Sequence, residues 1–170
     1  HAGWNCVIVT GDRDSLQLID EHVTVKLVSS KLSQTVAVNY DPAKFREEYG
    51  FDPIHLIDLK ALMGDSSDNI PGVAGVGPKT ATQLLLDYGT LDGVYAHLDA
   101  IKEKLRAKLE QGKDSAYLSY DLATIRCEAP IAFSPEACLV QPYDEAALYR
   151  LFTRLEFTCL LYTSDAADEH

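Results

Sequence analysis

Glycine and proline fall so densely in Gly64-Asp65-Ser66-Ser67-Asp68-Asn69-Ile70-Pro71-Gly72-Val73-Ala74-Gly75-Val76-Gly77-Pro78 that neither a helix nor a strand can run through it. The apolar run ending in Leu62-Met63 has to stop at Gly64, and a new helix can open at Pro78, since proline suits a first helical position. Between these limits the chain must form a tight hairpin whose glycines permit positive φ and a close backbone approach to a phosphate. Pro78 leaves the amides of Lys79 and Thr80 without helical partners, and Lys79 adds a positive charge at the same mouth. Just ahead stand Asp65 and Asp68, three residues apart, a spacing that puts both on one side of a helical turn. Converging carboxylates gather hard cations, and exposed amides grip phosphate. Side by side, they imply an enzyme of nucleic acids.

A chain of 170 residues is long enough to bury its own core, and 46% apolar with 24% charged residues is an ordinary globular balance. No apolar run is long enough to span a bilayer, and the N-terminus carries no secretory pattern. Cys6, Cys127, Cys138 and Cys159 are far apart, which is neither a zinc pattern nor a small disulfide framework. They read as reduced thiols of a cytoplasmic protein. The formal net charge of −11 pulls against a nucleic-acid partner, whose phosphates demand a basic surface. A site for two divalent ions has to concentrate carboxylates, which accounts for part of the excess. Lys102, Lys104, Arg106, Lys108 and Lys113 form a basic stretch, either a binding face or a solvated helix side interleaved with Glu103 and Glu110. Residues 161–170 break the amphipathic pattern before them and read as a non-native tail.

Val7-Ile8-Val9-Thr10, closed by Gly11, has the pattern of a buried strand in a parallel sheet. A helical turn is expected at 15–19. Residues 23–28 and 35–38 alternate and should pair as a hairpin across 29–34. Asp41-Pro42 and Asp52-Pro53 each offer an N-cap and a first-turn proline, with stops at Gly50 and Gly64. Further helices are expected at 78–88, from Thr90 to about Leu98, at 101–111, at 115–123, and behind Asp144 through Leu148, Leu151, Phe152 and Leu155. Thr124-Ile125-Arg126 reads as a return to the sheet. The expected fold is α/β, with a partial parallel sheet over residues 1–40, a helical subdomain over 41–160 that holds the hairpin at 72–79, and the tail at 161–170.

Asp12 and Asp14 follow the first strand, at its carboxyl end, where open α/β sheets place their sites. In extended backbone, residues two apart share a face, so both carboxylates would reach one pocket. Alone, an Asp-x-Asp is more often a pair of solvated turn residues. Asp65 and Asp68 alone would serve as caps after Gly64, and a bare glycine hairpin is more often a plain turn. Together they point to a pocket shared by Asp12, Asp14, Asp65 and Asp68. Two Mg²⁺ or Mn²⁺ ions about 3.5–4 Å apart would clamp the attacking water and the leaving oxygen of a phosphodiester. Oxygen donors suit such ions, and no histidine or cysteine spacing suits zinc.

Thr10-Gly11-Asp12-Arg13-Asp14-Ser15-Leu16-Gln17-Leu18 and residues 62–81 resemble the matching motifs of the bacterial 5′–3′ exonuclease, the flap-endonuclease-like (PIN-like) domain at the front of DNA polymerase I. The resemblance continues through 118–125 and into Leu151-Phe152-Thr153-Arg154-Leu155-Glu156-Phe157, which is similar to that domain's closing helix. It implies a structure-specific nuclease that removes nucleotides or flaps from 5′ ends, acting with divalent metal on flapped or nicked duplex DNA in primer removal and repair. By this resemblance Asp12, Asp14, Asp65 and Asp68 bind metal and act in catalysis. Gly72, Gly75, Gly77, Lys79 and Thr80 fall in a duplex-gripping helix–hairpin–helix, where a K⁺ ion can also sit on backbone carbonyls. Arg13 stands where the family has lysine or arginine.

The family's further metal-binding acids and its helical arch lie upstream of the first residue. The resemblance therefore implies a C-terminal piece of a nuclease, from a nucleoid-associated bacterial parent with a polymerase domain. Such a piece would hold one ion well and a second poorly, would cut DNA feebly, and would expose a sheet edge prone to aggregation. Two other readings stay open: a non-catalytic duplex-binding module that uses only the hairpin, and a stand-alone nuclease with no polymerase.

Overall fold

Strand β1 (Cys6–Thr10) runs parallel to β2 (Val23–Lys31), and β2 pairs antiparallel with β3 (Gln34–Tyr40), in the order β1-β2-β3. This is a computed structural model, and it describes residues 3–31 and 34–160; the expected tail at 161–170 lies outside them. β2 and β3 run further than their alternation indicated, into residues expected to form the loop. Asp12 ends the first strand: its carboxylate accepts from the Asp14 amide at 2.9 Å and opens a 3-10 turn, Arg13–Leu18, that leads across to β2. Ile8, Val25, Leu27 and Tyr40 face the core, whereas Val7 and Val9 are 64% and 65% exposed. The strand expected to be buried is thus open on one face, because no layer of described residues covers it.

Helix α1 (Pro42–Tyr49) is capped by Asp41, which accepts from the Lys44 amide at 2.7 Å, and it stops at Gly50. A 3-10 turn at Pro53–His55 leads into α2 (Leu56–Met63). Then come α3 (Pro78–Tyr88), α4 (Leu91–Ala96), α5 (Glu103–Gln111) and α6 (Lys113–Ala123). Every residue of α2 from Leu56 to Leu62 is buried, with α3, α4 and α6 packed against it. A helix covered on all sides must have each of its charges answered. Asp58 accepts from the Leu91 amide at 2.8 Å and pairs with the His55 ring at 2.9 Å, so it caps α4 from a neighbouring helix. The other charge, Lys60, is answered by Asp14 on the turn after β1 and by Asp65 just past the end of α2.

Sheet and helices share one continuous core that includes Leu16, Val25, Phe45, Leu62, Leu85 and Leu109. The first compact unit accordingly runs over His1–Cys127, with no boundary at residue 40. The second unit, Glu128–His170, contains a 3-10 turn at Pro135–Cys138 and helix α7 (Glu145–Arg154), whose cap Asp144 accepts from the Ala147 amide at 2.8 Å. No helix among the described residues is long and apolar enough to cross a membrane.

Thr124-Ile125-Arg126 does not rejoin the sheet. The buried side chain of Gln17 instead donates to the Ala123 carbonyl at 3.0 Å and accepts from the Ile125 amide at 2.9 Å. A side chain here replaces the strand partner that these backbone groups require. Gln17→Leu keeps the bulk but leaves both groups unpaired, so it should lower unfolding stability by about 1–3 kcal/mol in urea titrations. An unchanged midpoint would show that the clamp is dispensable.

Candidate functional site

The chain leaves α2 at Gly64 and doubles back. The Asp65 amide donates to the Ile70 carbonyl at 2.9 Å and the Ile70 amide to the Asp65 carbonyl at 2.8 Å, closing a turn over residues 66–69. Asp65 and Asp68 therefore sit on a bridged turn, not on the helical turn that their spacing indicated, and this turn still brings them to one side. The 3-10 turn after β1 delivers Asp14 from the opposite direction. One oxygen from each of Asp14, Asp65 and Asp68 lies within 4.8 Å of the others.

Asp12 is not in that group. It lines the same cavity of about 350 Å³, but its carboxylate is exposed and caps the Asp14 amide. The chain leaves the extended conformation at this point, so the two-residue alternation expected to align Asp12 with Asp14 no longer applies. Arg13 lines the cavity as well, but its guanidinium donates to the Tyr49 hydroxyl at 2.8 Å.

Among the three acids stands Lys60, a residue the motif reading missed. Its ammonium donates to Asp14 Oδ1 and, at 2.8 Å, to Asp65 Oδ2, and it lies 3.8 Å from Asp68 Oδ2. Burial pulls the Lys60 pKa down, but the hydrogen bonds to Asp14 and Asp65 outweigh it and leave the value above that of an ordinary lysine. Lys60 first, and then Ser67, holds Asp65 down at about 2. A signal for Lys60 was present: one charge inside the apolar Leu59-Lys60-Ala61-Leu62-Met63, just before the acidic turn.

The hairpin follows immediately. Gly72 has φ +61, and a Cβ there would lie 2.2 Å from the Gly64 nitrogen, so the two backbones touch. Helix α6 grips the same residue from the other side. The fully buried Ser119 hydroxyl accepts from the Gly72 amide at 2.9 Å, and Ser115, one turn earlier, donates to the Gly72 carbonyl at 2.6 Å. Lys108 of α5 donates to the Gly75 carbonyl at 2.9 Å. Gly77 departs from the expected positive φ: it caps α3 at φ −98, and a Cβ there would meet nothing within 4 Å. The fold itself does not require glycine at that point. Among the described residues, the amides of Lys79 and Thr80 have no acceptor and the exposed Lys79 is in no ion pair.

The sequence model described as 5′-3′ exonuclease, C-terminal SAM fold, matches residues 51–146. The chain belongs to this 5′-3′ exonuclease family. It is 45% identical over 161 residues to DNA polymerase I of Caldicellulosiruptor bescii, covering 95% of this chain and 19% of the relative. It is 44% identical over 160 residues to DNA polymerase I of Bacillus caldotenax, covering 94% and 18%. The chain thus spans about a fifth of the length of these relatives. Two solved structures share its fold. A T5 5′-exonuclease with bound divalent zinc superposes with a TM-score of 0.57 at 22% identity, covering 70% of this chain and 42% of that one. The catalytic core of Rad2 in complex with DNA gives 0.55 at 20% identity, covering 88% and 52%. These likenesses establish the 5′-nuclease α/β fold with its helical SAM-like part.

Asp65 stays charged down to about pH 2 in the folded chain, against an ordinary value of 3.8. Its contribution to stability is therefore complete above roughly pH 4 and is lost as pH falls through about 2. Thermal melts of the Asp65→Asn variant should show a shallower decline between pH 4 and 2 than the parent chain. Parallel declines would count against the Lys60–Asp65 pair as its source.

Proposed function

We propose that this chain is part of a metal-dependent 5′–3′ exonuclease or flap endonuclease that hydrolyses DNA phosphodiesters, within a DNA polymerase I that acts in bacterial replication and repair. The observation that carries this reading is the meeting of Asp14, Asp65 and Asp68 directly ahead of a hairpin whose Lys79 and Thr80 amides and Lys79 ammonium have no partner among the described residues. The donor set suits a hard cation, since all three donors are carboxylates and neither histidine nor cysteine joins them. Asp14, Asp65 and Asp68 would hold Mg²⁺ or Mn²⁺, with Asp12 at the rim of the cavity. When bound, the metal would supply Lewis-acid activation of water and phosphate.

The chain's own groups do the rest. Asp65 is anionic at neutral pH, as any aspartate would be, and Lys60 and Ser67 keep it so down to about pH 2. The amides of Lys79 and Thr80 would donate to a backbone phosphate, Lys79 would add charge, and bare Gly77 would let the strand come close. Contacts of this kind position a duplex and read no sequence. A K⁺ ion at the hairpin would sit on backbone carbonyls. Those of Gly72, Val73 and Gly75 accept one hydrogen bond each, from Ser115, the Val76 amide and Lys108, which leaves each a second lone pair.

Three carboxylates that share a lysine are enough for one divalent ion, whereas a two-ion clamp needs more acids. This count favours a second reading for the 170-residue chain taken alone, as a DNA-binding piece that cuts feebly. The full-length parent should release a 5′ flap with Mg²⁺, and Asp65→Ala should slow release at least about 100-fold, since even outer partners of a metal site are worth 10–100-fold. Flap release indifferent to Asp65→Ala would end the nuclease reading. The chain alone should bind the same substrate with an affinity that falls with salt and with Lys79→Glu. Binding unaffected by either would remove the hairpin from the interface.

A further inference from the structure

We infer that Lys60 is a tethered cation of the acid cluster, which assembles Asp14, Asp65 and Asp68 before metal arrives and competes with metal for their oxygens. The inference rests on the metal reading of the cluster proposed above.

Lysines rarely lie buried without a partner, and Lys60 is only 6% exposed. Its position is imposed by α2, which is covered along its length by other helices, so the ammonium cannot easily retreat to solvent. Its charge is directed at the carboxylates. It hydrogen-bonds Asp14 and Asp65 and stands 3.8 Å from Asp68, whose side chain is the most exposed of the three at 52%. Among the described residues no other cation pairs with these acids: Arg13, nearest in sequence, is engaged by Tyr49 and Glu48. Without Lys60, three carboxylate oxygens within 4.8 Å of one another would repel, and the turn carrying Asp65 and Asp68 would lose its tie to the turn carrying Asp14.

A divalent ion seated by the same carboxylates must take oxygens from the ammonium or share them with it. Lys60 therefore has two opposed effects. It preorganises the ligands, which favours metal, and it neutralises part of their charge, which disfavours it. At separations near 3–4 Å the charge effect is large even at the effective dielectric of a protein surface. Preorganisation matters less, because the Asp65–Ile70 bridge and the Asp12 cap already fix each turn internally and leave Lys60 only their mutual spacing to set. The balance makes Lys60 a restraint on metal affinity.

The test is Mn²⁺ binding to the 170-residue chain, followed by the loss of the free-ion EPR signal, with thermal melts in Mg²⁺ alongside. Lys60→Met should bind Mn²⁺ about tenfold more tightly than the parent chain, melt lower without metal, and gain more from Mg²⁺. A lysine that merely braces the fold would give the opposite sign, with weaker Mn²⁺ binding once it is removed. In case the variant does not fold, the parent chain supplies a second measurement. The Lys60 side-chain NMR resonance should shift saturably with Mg²⁺ while that of the remote Lys44 stays put. Equal or weaker Mn²⁺ binding by Lys60→Met, or a Lys60 resonance that does not move as metal binds, overturns this inference alone. Absence of Mn²⁺ binding to both chains overturns it together with the metal reading.

Discussion

A Cβ at Gly72 would fall 2.2 Å from the Gly64 nitrogen, and one at Gly64 would fall 2.7 Å from the Ile70 carbonyl oxygen. The backbone is in contact with itself across the acidic turn, and only glycine permits that contact. Everything distinctive in the molecule is attached to this knot. Helix α2 enters it, the Asp65–Ile70 bridge fills it, and the hairpin leaves it toward α3. Ser115 and Ser119 hold the exit at Gly72, Lys108 holds Gly75, and Lys60 holds Asp65. The carboxylates and the open amides of Lys79 and Thr80 therefore have a set separation. Chemistry that needs a metal ligand and a phosphate grip at fixed spacing requires supporting contacts of this sort.

Helix α2 shows how the support reaches the core. Burying charge is costly unless it is paired and hydrogen-bonded, yet α2 carries two charges in its interior. Asp58 is satisfied by a backbone amide and a histidine ring, and its effect is to dock α4. Lys60, two residues later, points to the end of the sheet and is satisfied by the site itself. One helix thus connects the packing of the helical part with the electrostatics of the acids. The sheet contributes through Asp14 on the turn that follows β1.

What could be read from the sequence was local. The caps at Asp41, Thr90 and Asp144 and the stops at Gly50 and Gly64 act within a few residues, and the helices fall where those signals put them. The hairpin and the pairing of the Asp65 turn with Asp14 were legible because each carries its own short motif. Ser115, Ser119 and Gln17 act on partners more than forty residues away, as Lys60 does on Asp14, and no local pattern names such partners. Asp12 lines the shared cavity as expected, but an aspartate after a strand can either continue it or cap the next turn; here it caps, and the close group of oxygens is formed by Asp14, Asp65 and Asp68. Val7 and Val9 were expected to be covered because a β-branched run looks the same whether one face of the sheet is packed or both. Thr124-Ile125-Arg126 resembles a strand for the same reason.

The acidity of the chain bears directly on the proposed DNA contact. The basic stretch divides into unlike parts. Arg106 faces Asp99 and Glu110 at 3.8 and 3.9 Å, and Lys113 lies 5.5 Å from the centre of the Tyr95 ring. Lys108 has its ammonium on a neutral carbonyl, so its charge is unanswered by any acid and stands at the hairpin, with Lys79 also unpaired among the described residues. The hairpin is thus a small positive patch beside an acid cluster that would repel a phosphate backbone. On the proposed reading, a divalent ion cancels the net negative charge that the three carboxylates and Lys60 leave on that cluster. The two halves of the site are then complementary to one DNA strand only when metal is present. A coupling of this kind is reciprocal: DNA on the hairpin raises the affinity of the acids for metal by the factor by which metal raises the affinity of the hairpin for DNA. Lys60 sets the starting point of that coupling, since it already neutralises part of the charge against which DNA and metal interact.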